Sequence, residues 1–197
     1  MQILRAANYK VMPWKNGAGS TTEIAIFPFQ AAFDDFDWRV SMARVTSDGP
    51  FSSFPGIDRT LLVIDGAGID LSVDGCASVR IDRSTIHSFP GDQQTSATLI
   101  DGSITDLNVM SRRGIVSQRV RRINVMKRQD FIVSAQTILF VEHGTATVQS
   151  ASTVDSLSAH DALLVEPGSA PVTIESHATA RIVIIEFGRQ PLPHQRF

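Results

Sequence analysis

Leu62-Val63-Ile64-Asp65-Gly66, followed by Ile69-Asp70-Leu71-Ser72-Val73, has a counterpart later in the chain. The counterpart is Phe140-Val141-Glu142-His143-Gly144, followed by Thr147-Val148-Gln149-Ser150. Each is a short apolar run, a turn closed by glycine and a second run, the pattern of paired strands. The two glycines are 78 residues apart. A second pair of signatures, Ile86-His87-Ser88-Phe89-Pro90-Gly91 and Leu163-Leu164-Val165-Glu166-Pro167-Gly168, has its prolines 77 residues apart. Two independent strand-turn signatures at one offset indicate a duplicated unit. The period is too long for a propeller blade or a solenoid turn; it suits a small barrel used twice.

The flanking sequence agrees. Trp38-Arg39-Val40-Ser41-Met42-Ala43-Arg44-Val45 alternates, with Trp38, Val40 and Met42 on one face and Arg39, Ser41 and Ala43 on the other. Ile138–Val141, Ala162–Val165 and Arg181–Ile185 are further short apolar runs near turn residues. Few windows show helical period with a start signal. The expected class is all-β, with each half an antiparallel barrel or sandwich whose mouth can hold a small ligand. Ser111-Arg112-Arg113-Gly114 ends a strand-like run and predicts the seam, giving domains 1–113 and 114–197, with the ligand pocket in the first.

Composition narrows the function classes. The chain has 197 residues, 43% hydrophobic and 19% charged, enough for a real core and unlike a disordered chain. Eighteen Lys+Arg against twenty Asp+Glu argues against a dedicated nucleic-acid binder. A lone cysteine, Cys76, calls for no oxidising compartment. No run reaches the roughly 18 apolar residues of a membrane span, and the start lacks a signal-peptide layout. A soluble cytoplasmic protein with no membrane partner is expected. Arg112, Arg113, Arg119, Arg121, Arg122, Lys127 and Arg128 form an acid-free basic segment. It reads as a solvated or oligomer-contact face, or as a surface for an anionic partner.

Asn16-Gly17-Ala18-Gly19-Ser20-Thr21-Thr22 is not a Walker loop, because its lysine, Lys15, precedes the glycines. Gly66-Ala67-Gly68 joins two strand-like runs, so it is no dinucleotide fingerprint. Both read as turns. The five histidines show no chelating spacing, and no metal or other cofactor is expected. His87, just before Phe89-Pro90-Gly91, is the one histidine expected near a cavity. The most informative feature is polar residues inside otherwise apolar strands. Arg39 and Ser41 share a face, Asp106, Asn108, Met110 and Arg112 share another, Glu23 lies in Thr22–Ile26, and Arg59 precedes Thr60-Leu61-Leu62. Buried charge persists only when paired or ligand-bound. Two outcomes stay open: an internal network, Arg39 with Glu23 and Arg59 with Asp106, or a ligand site.

Pro13-Trp14-Lys15-Asn16-Gly17-Ala18-Gly19, Thr22-Glu23-Ile24, Trp38-Arg39-Val40-Ser41, Gly49–Arg59 and Asp106–Arg113 together resemble the HutD/Ves family. The motifs span about the first 115 residues, and Ala18 with Ser20 departs from a plainer glycine-rich run. The resemblance implies a bicupin, two cupin-type barrels in one chain. It also implies a link to bacterial histidine utilisation as a small-molecule-responsive modulator, with other members stress-induced. Set against the metal-binding cupin motif, Arg59 takes the place of the glutamate, while Ser52 or Ser53 and Phe54 or Pro55 take those of the histidines. In the second half Thr137 takes the glutamate position. A guanidinium in place of a carboxylate disfavours a cation and suits a small carboxylate, held by two parallel hydrogen bonds.

The resulting expectation is a metal-free binder. Arg59 clamps the anion, Asn108 and Ser41 add hydrogen bonds, Arg39 with Glu23 orients the site, and Trp14 or Phe54 covers an apolar part of the ligand. His87 is the remaining candidate contact. Urocanate or formylglutamate fits the implied histidine link. The alternatives are a metal-independent isomerase or hydrolase using Glu23, Asp106 or His87 as base, and an interaction module using Arg119 and Arg122. With no nucleophile–base pair in the sequence, the reading leans away from an enzyme. A homodimer is compatible with all of these, and the tail Arg189–Phe197 is expected to be loosely ordered.

Overall fold

The structure, a computed structural model, describes residues 1–32, 35–74, 76–151 and 153–190. It is all-β; among the described residues the helical content is one short 3-10 turn, Ala6–Asn8. Among them no helix is long and apolar enough to cross a membrane. The chain forms two compact units. Strands are numbered in chain order.

One unit is built from Lys10–Ser117. Its larger sheet runs β2 (Lys10–Pro13), β3 (Gly19–Phe27), β4 (Trp38–Val45), β11 (Ile104–Arg112), β6 (Ile57–Asp65) and β9 (His87–Pro90). Its smaller sheet runs β5 (Gly49–Pro50), β10 (Thr95–Leu99), β7 (Ile69–Val73) and β8 (Val79–Ile81). Along Trp38–Val45 it is the face of Arg39, Ser41, Ala43 and Val45 that turns toward the interior of this unit. Val45, Leu61, Val63 and Ile104 of the larger sheet pack against Ile69, Leu71, Val73, Ile81 and Ala97 of the smaller one. This apolar filling is the main stabilising term of the sandwich.

The other unit joins Met1–Tyr9 to Gln118–Gly188. Its larger sheet runs β1 (Gln2–Leu4), β17 (Ala162–Val165), β14 (Gln136–His143), β19 (Ala180–Arg189) and β12 (Val116–Val125), the last beginning just before the unit boundary. Its smaller sheet runs β13 (Arg128–Phe131), β18 (Val172–Glu175), β15 (Ala146–Ser150) and β16 (Thr153–Leu157). Its core contains Leu139, Val141, Val148, Leu163, Val172, Ile174, Ile182 and Ile184.

The strand orders repeat. Adding eight to each number turns β9-β6-β11-β4 into β17-β14-β19-β12, and β5-β10-β7-β8 into β13-β18-β15-β16. The register repeats as well. Against β11, Thr105 pairs Asp65 and Asp106 pairs Val63, so Ile64 is the extra, bulged residue. Against β19, Arg181 pairs His143 and Ile182 pairs Val141, so Glu142 is bulged. The turns that follow match too. Gly66 and Gly144 have φ of 89° and 83°, and a Cβ on them would lie 2.7 Å from the Ser103 carbonyl oxygen and 2.9 Å from that of Thr179. Only glycine meets both demands.

Three expectations are modified. The sheets pair as separate open sheets and do not close into continuous hydrogen-bonded barrels. Met1–Tyr9 packs with the C-terminal residues instead of with 10–113, because β1 extends the edge of β17, with Gln2 opposite Leu164 and Leu4 opposite Ala162. Arg5 holds this docking through Asp155 at 2.7 Å and Asp161 at 3.0 Å. The predicted seam ends β11 at Arg112, but the units divide after Ser117. Beyond Gln190, the tail expected to be loose lies outside the described residues.

Candidate functional site

Directly paired residues on neighbouring strands project to the same face of a sheet. In the larger sheet of the Lys10–Ser117 unit this rule assembles a polar patch from three strands. Met110 stands opposite Arg39 on β4 and Arg59 on β6. Asn108 stands opposite Ser41 and Leu61, and Asp106 opposite Ala43 and Val63. The patch floors a cavity of about 880 Å³. Trp14, Lys15 and Asn16 rim it from the turn before β3, and Pro50, Phe51, Ser52 and Phe54 wall it from the segment before β6.

Arg59 is buried, with 3% exposure. Its Nη1 donates to the Ser52 carbonyl at 3.2 Å, while Nε has no hydrogen-bond partner. Its guanidinium carbon lies 5.0 Å from the ring centre of Phe51, 5.4 Å from that of Phe54 and 5.1 Å from that of Phe89. Aromatic faces favour a cation without quenching its donors. Burial pushes its pKa down to about 10; Asp106 opposes this and Arg39 reinforces it. The side chain therefore remains a cation at neutral pH.

Arg39, also buried, donates from Nε to Glu23 Oε2 at 2.8 Å. Asp106 is 1% exposed, and burial pushes its carboxyl up to about 7 against the pull of Arg59 and the Ala43 amide. Its Oδ1 has no hydrogen-bond partner, and neither has Oδ1 of buried Asn108. Buried polar atoms are rarely left in that condition. The Arg59 donor and these two acceptors belong to residues lining one cavity.

Of the residues singled out in the sequence, Arg59, Asn108, Ser41, Arg39, Trp14 and Phe54 all line the cavity. Glu23 does not, and acts on it through Arg39. His87 is a correction: it lies outside the lining, half-buried on β9 with its ring stacked on Phe89 at 6.1 Å. Its place opposite Leu61 sets it one inward step away from the Arg59–Phe89 rung. Of the three candidate bases, only Asp106 lines the cavity. The internal network forms in one half: Arg39 pairs with Glu23, but no hydrogen bond or ion pair joins Arg59 to Asp106 among the described residues.

Part of the basic segment is neutralised locally. Arg113 pairs with Asp58 and Asp92, Arg128 with Asp130, and Arg122, only 12% exposed, with Glu142. This removes Arg122 from an open docking surface.

Phe51 and Thr21 were not singled out as site residues. Phe51 sits in an irregular segment without period, although it belongs to the quoted Gly49–Arg59 motif. Thr21 accepts the Trp14 indole N–H at 2.8 Å and so fixes that ring at the rim. The donor set does not fit a divalent cation. Two buried guanidiniums face the cavity, and among the described residues no three His, Cys, Asp or Glu side chains are grouped as metal ligands.

The HutD family pattern matches residues 6–184. A protein of Pseudomonas putida described as an uncharacterized 21.2 kDa protein in the hutC 3' region is 40% identical over 110 residues, which is 56% of this chain and 57% of that protein. The aligned part thus spans a little over half the length of that curated relative. A crystal structure of a conserved protein of unknown function from Pseudomonas aeruginosa PAO1, PA5104, superposes with a TM-score of 0.87 at 34% identity, covering 94% of this chain and 97% of that one. The structure of HutD from Pseudomonas fluorescens SBW25, in a formate condition, gives a TM-score of 0.82 at 33% identity, covering 96% and 99%. Solved structures at 8% identity, with TM-scores of 0.71 and 0.76, share the fold alone.

Proposed function

The chain belongs to the HutD family, and from that premise we propose that its Lys10–Ser117 unit binds a small carboxylate and thereby modulates histidine utilisation or a stress response. The observation that carries this reading is the Arg59 guanidinium, buried against a cavity with Nε unbonded. A buried cation with donor capacity to spare is costly unless a ligand supplies the acceptor. Arg39 adds a second positive charge on the same rung, across Met110 from Arg59, and Ser41 and Asn108 supply neutral hydrogen-bonding groups between them and Asp106. Trp14, Phe51 and Phe54 offer apolar and aromatic wall to the body of the acid.

The repeated strand order and the two equivalent bulges support a bicupin, in which one cupin unit carries the ligand and the other does not. The hutC-region name of the relative supports an intermediate of histidine breakdown as ligand, and urocanate and formylglutamate are the acids to try first. In this reading the protein is a sensor without turnover.

Calorimetric titration of both acids into the wild type and Arg59→Met tests the assignment. Truncating one partner of a buried charge pair costs about 2–5 kcal/mol, so at least about 30-fold weaker binding is expected in the variant. Equal affinity in the two proteins would remove Arg59 from this role.

A further inference from the structure

The proposed carboxylate accounts for the unbonded donor of Arg59 but leaves two unbonded acceptors, Oδ1 of Asp106 and Oδ1 of Asn108. Both side chains are more than nine-tenths buried, and both line the same cavity. An anion has nothing to donate to them.

The fold does not need these groups. The register of the other unit makes Ile182 and Ile184 the equivalents of Asp106 and Asn108. Val141 pairs Ile182 as Val63 pairs Asp106, and Leu139 pairs Ile184 as Leu61 pairs Asn108. Both isoleucines are core residues of that unit. Where one copy of the architecture fills these two rungs with apolar side chains, the other opens a cavity and lines it with acceptors.

Resting on the carboxylate reading above, we propose that the cavity selects acids with two unlike ends, a carboxylate for Arg59 and an N–H or O–H donor for Asn108 and Asp106. Asn108 lies one inward-facing step along β11 from the rung of Arg59, roughly 7 Å, and Asp106 lies two. A flat or apolar spacer between the two ends would lie against Met110 and the aromatic wall. Acids lacking the donor leave the acceptors desolvated and unpaired, and a site built to hydrogen-bond an N–H rejects such analogues.

A matched pair of probes tests this. Pyrrol-3-ylacetate and furan-3-ylacetate have the same charge and nearly the same shape, but only the first carries a donor at its far end. In the wild type the pyrrole acid should bind about 10- to 100-fold more tightly by titration calorimetry. In Asp106→Ile/Asn108→Ile, which copies the residues of the other unit, the two should bind within about twofold of each other. A thermal melt at or above that of the wild type would verify that this variant is folded. Equal affinity of the two acids for the wild type, with both lost in Arg59→Met, would overturn the two-ended ligand and leave the carboxylate reading standing. Binding of neither acid would overturn both.

Discussion

A carboxyl group enclosed in protein with one oxygen unbonded holds its proton more tightly than the same group in an unfolded chain. Asp106 is in that position, its pKa raised from 3.8 to about 7 by burial. The unfolded chain gives up this proton near pH 4 and the folded chain near pH 7, so between those values the folded state binds more protons. Stability from Asp106 therefore falls as pH rises through this window and levels off above it, by at most about 4 kcal/mol. Asp106→Asn removes the titration. In urea denaturation at pH 5 and pH 8, the stability of the variant relative to wild type should rise by about 2–4 kcal/mol at the higher pH. An unchanged difference would mean that Asp106 titrates normally. At this scale the sequence was legible where a polar residue broke an apolar strand face, as at Arg39, Ser41, Arg59, Asp106 and Asn108. It was not legible at His87, because nearness to a Pro-Gly turn does not report which rung a side chain occupies. Nor was it at Phe51, which has no periodic neighbours to give it a direction.

Between strands, the two bulges perform one job with different chemistry. Ile64 is a buried apolar residue at the bulge of β6, whereas Glu142 at the bulge of β14 is a buried carboxylate. Glu142 survives there because Arg122 on β12 donates to Oε2 at 2.8 Å, with Arg181 at 3.7 Å from Oε1. Removing one partner of a buried pair exposes the cost of the other. Arg122→Met should destabilise the protein by about 3 kcal/mol in urea denaturation, and adding Glu142→Leu should recover most of the loss. No recovery would mean that Arg122 acts by packing its stem, not by its charge. Strand pairing was legible because glycine turns and apolar runs recur at a fixed offset. The three-residue strand Gln2–Leu4 was not, since so short a segment carries no period and its docking on β17 depends on Arg5 reaching Asp155 and Asp161.

Across the whole chain, one strand order occurs twice and carries two different interiors. In the Lys10–Ser117 unit, guanidinium, carboxyl and amide groups face a cavity of about 880 Å³. In the other unit, the equivalent rungs hold core isoleucines, and a smaller hollow of about 430 Å³ is lined by Met1, Ile3, Ser150, Ala151, Thr153, Ser169 and Ala170, without a charged side chain. The repeated strand-turn pattern was readable in the sequence, but the openness of the sheets was not, because hydrogen bonding at sheet edges leaves no mark on apolar alternation. In the proposed function a single contact, Arg59 with the carboxylate of the ligand, carries binding. It is tested most directly by a crystal structure of the protein grown with saturating urocanate. The acid is expected in the Lys10–Ser117 cavity with a carboxylate oxygen about 3 Å from Arg59 Nε. An empty cavity, or a carboxylate turned away from Arg59, would contradict it.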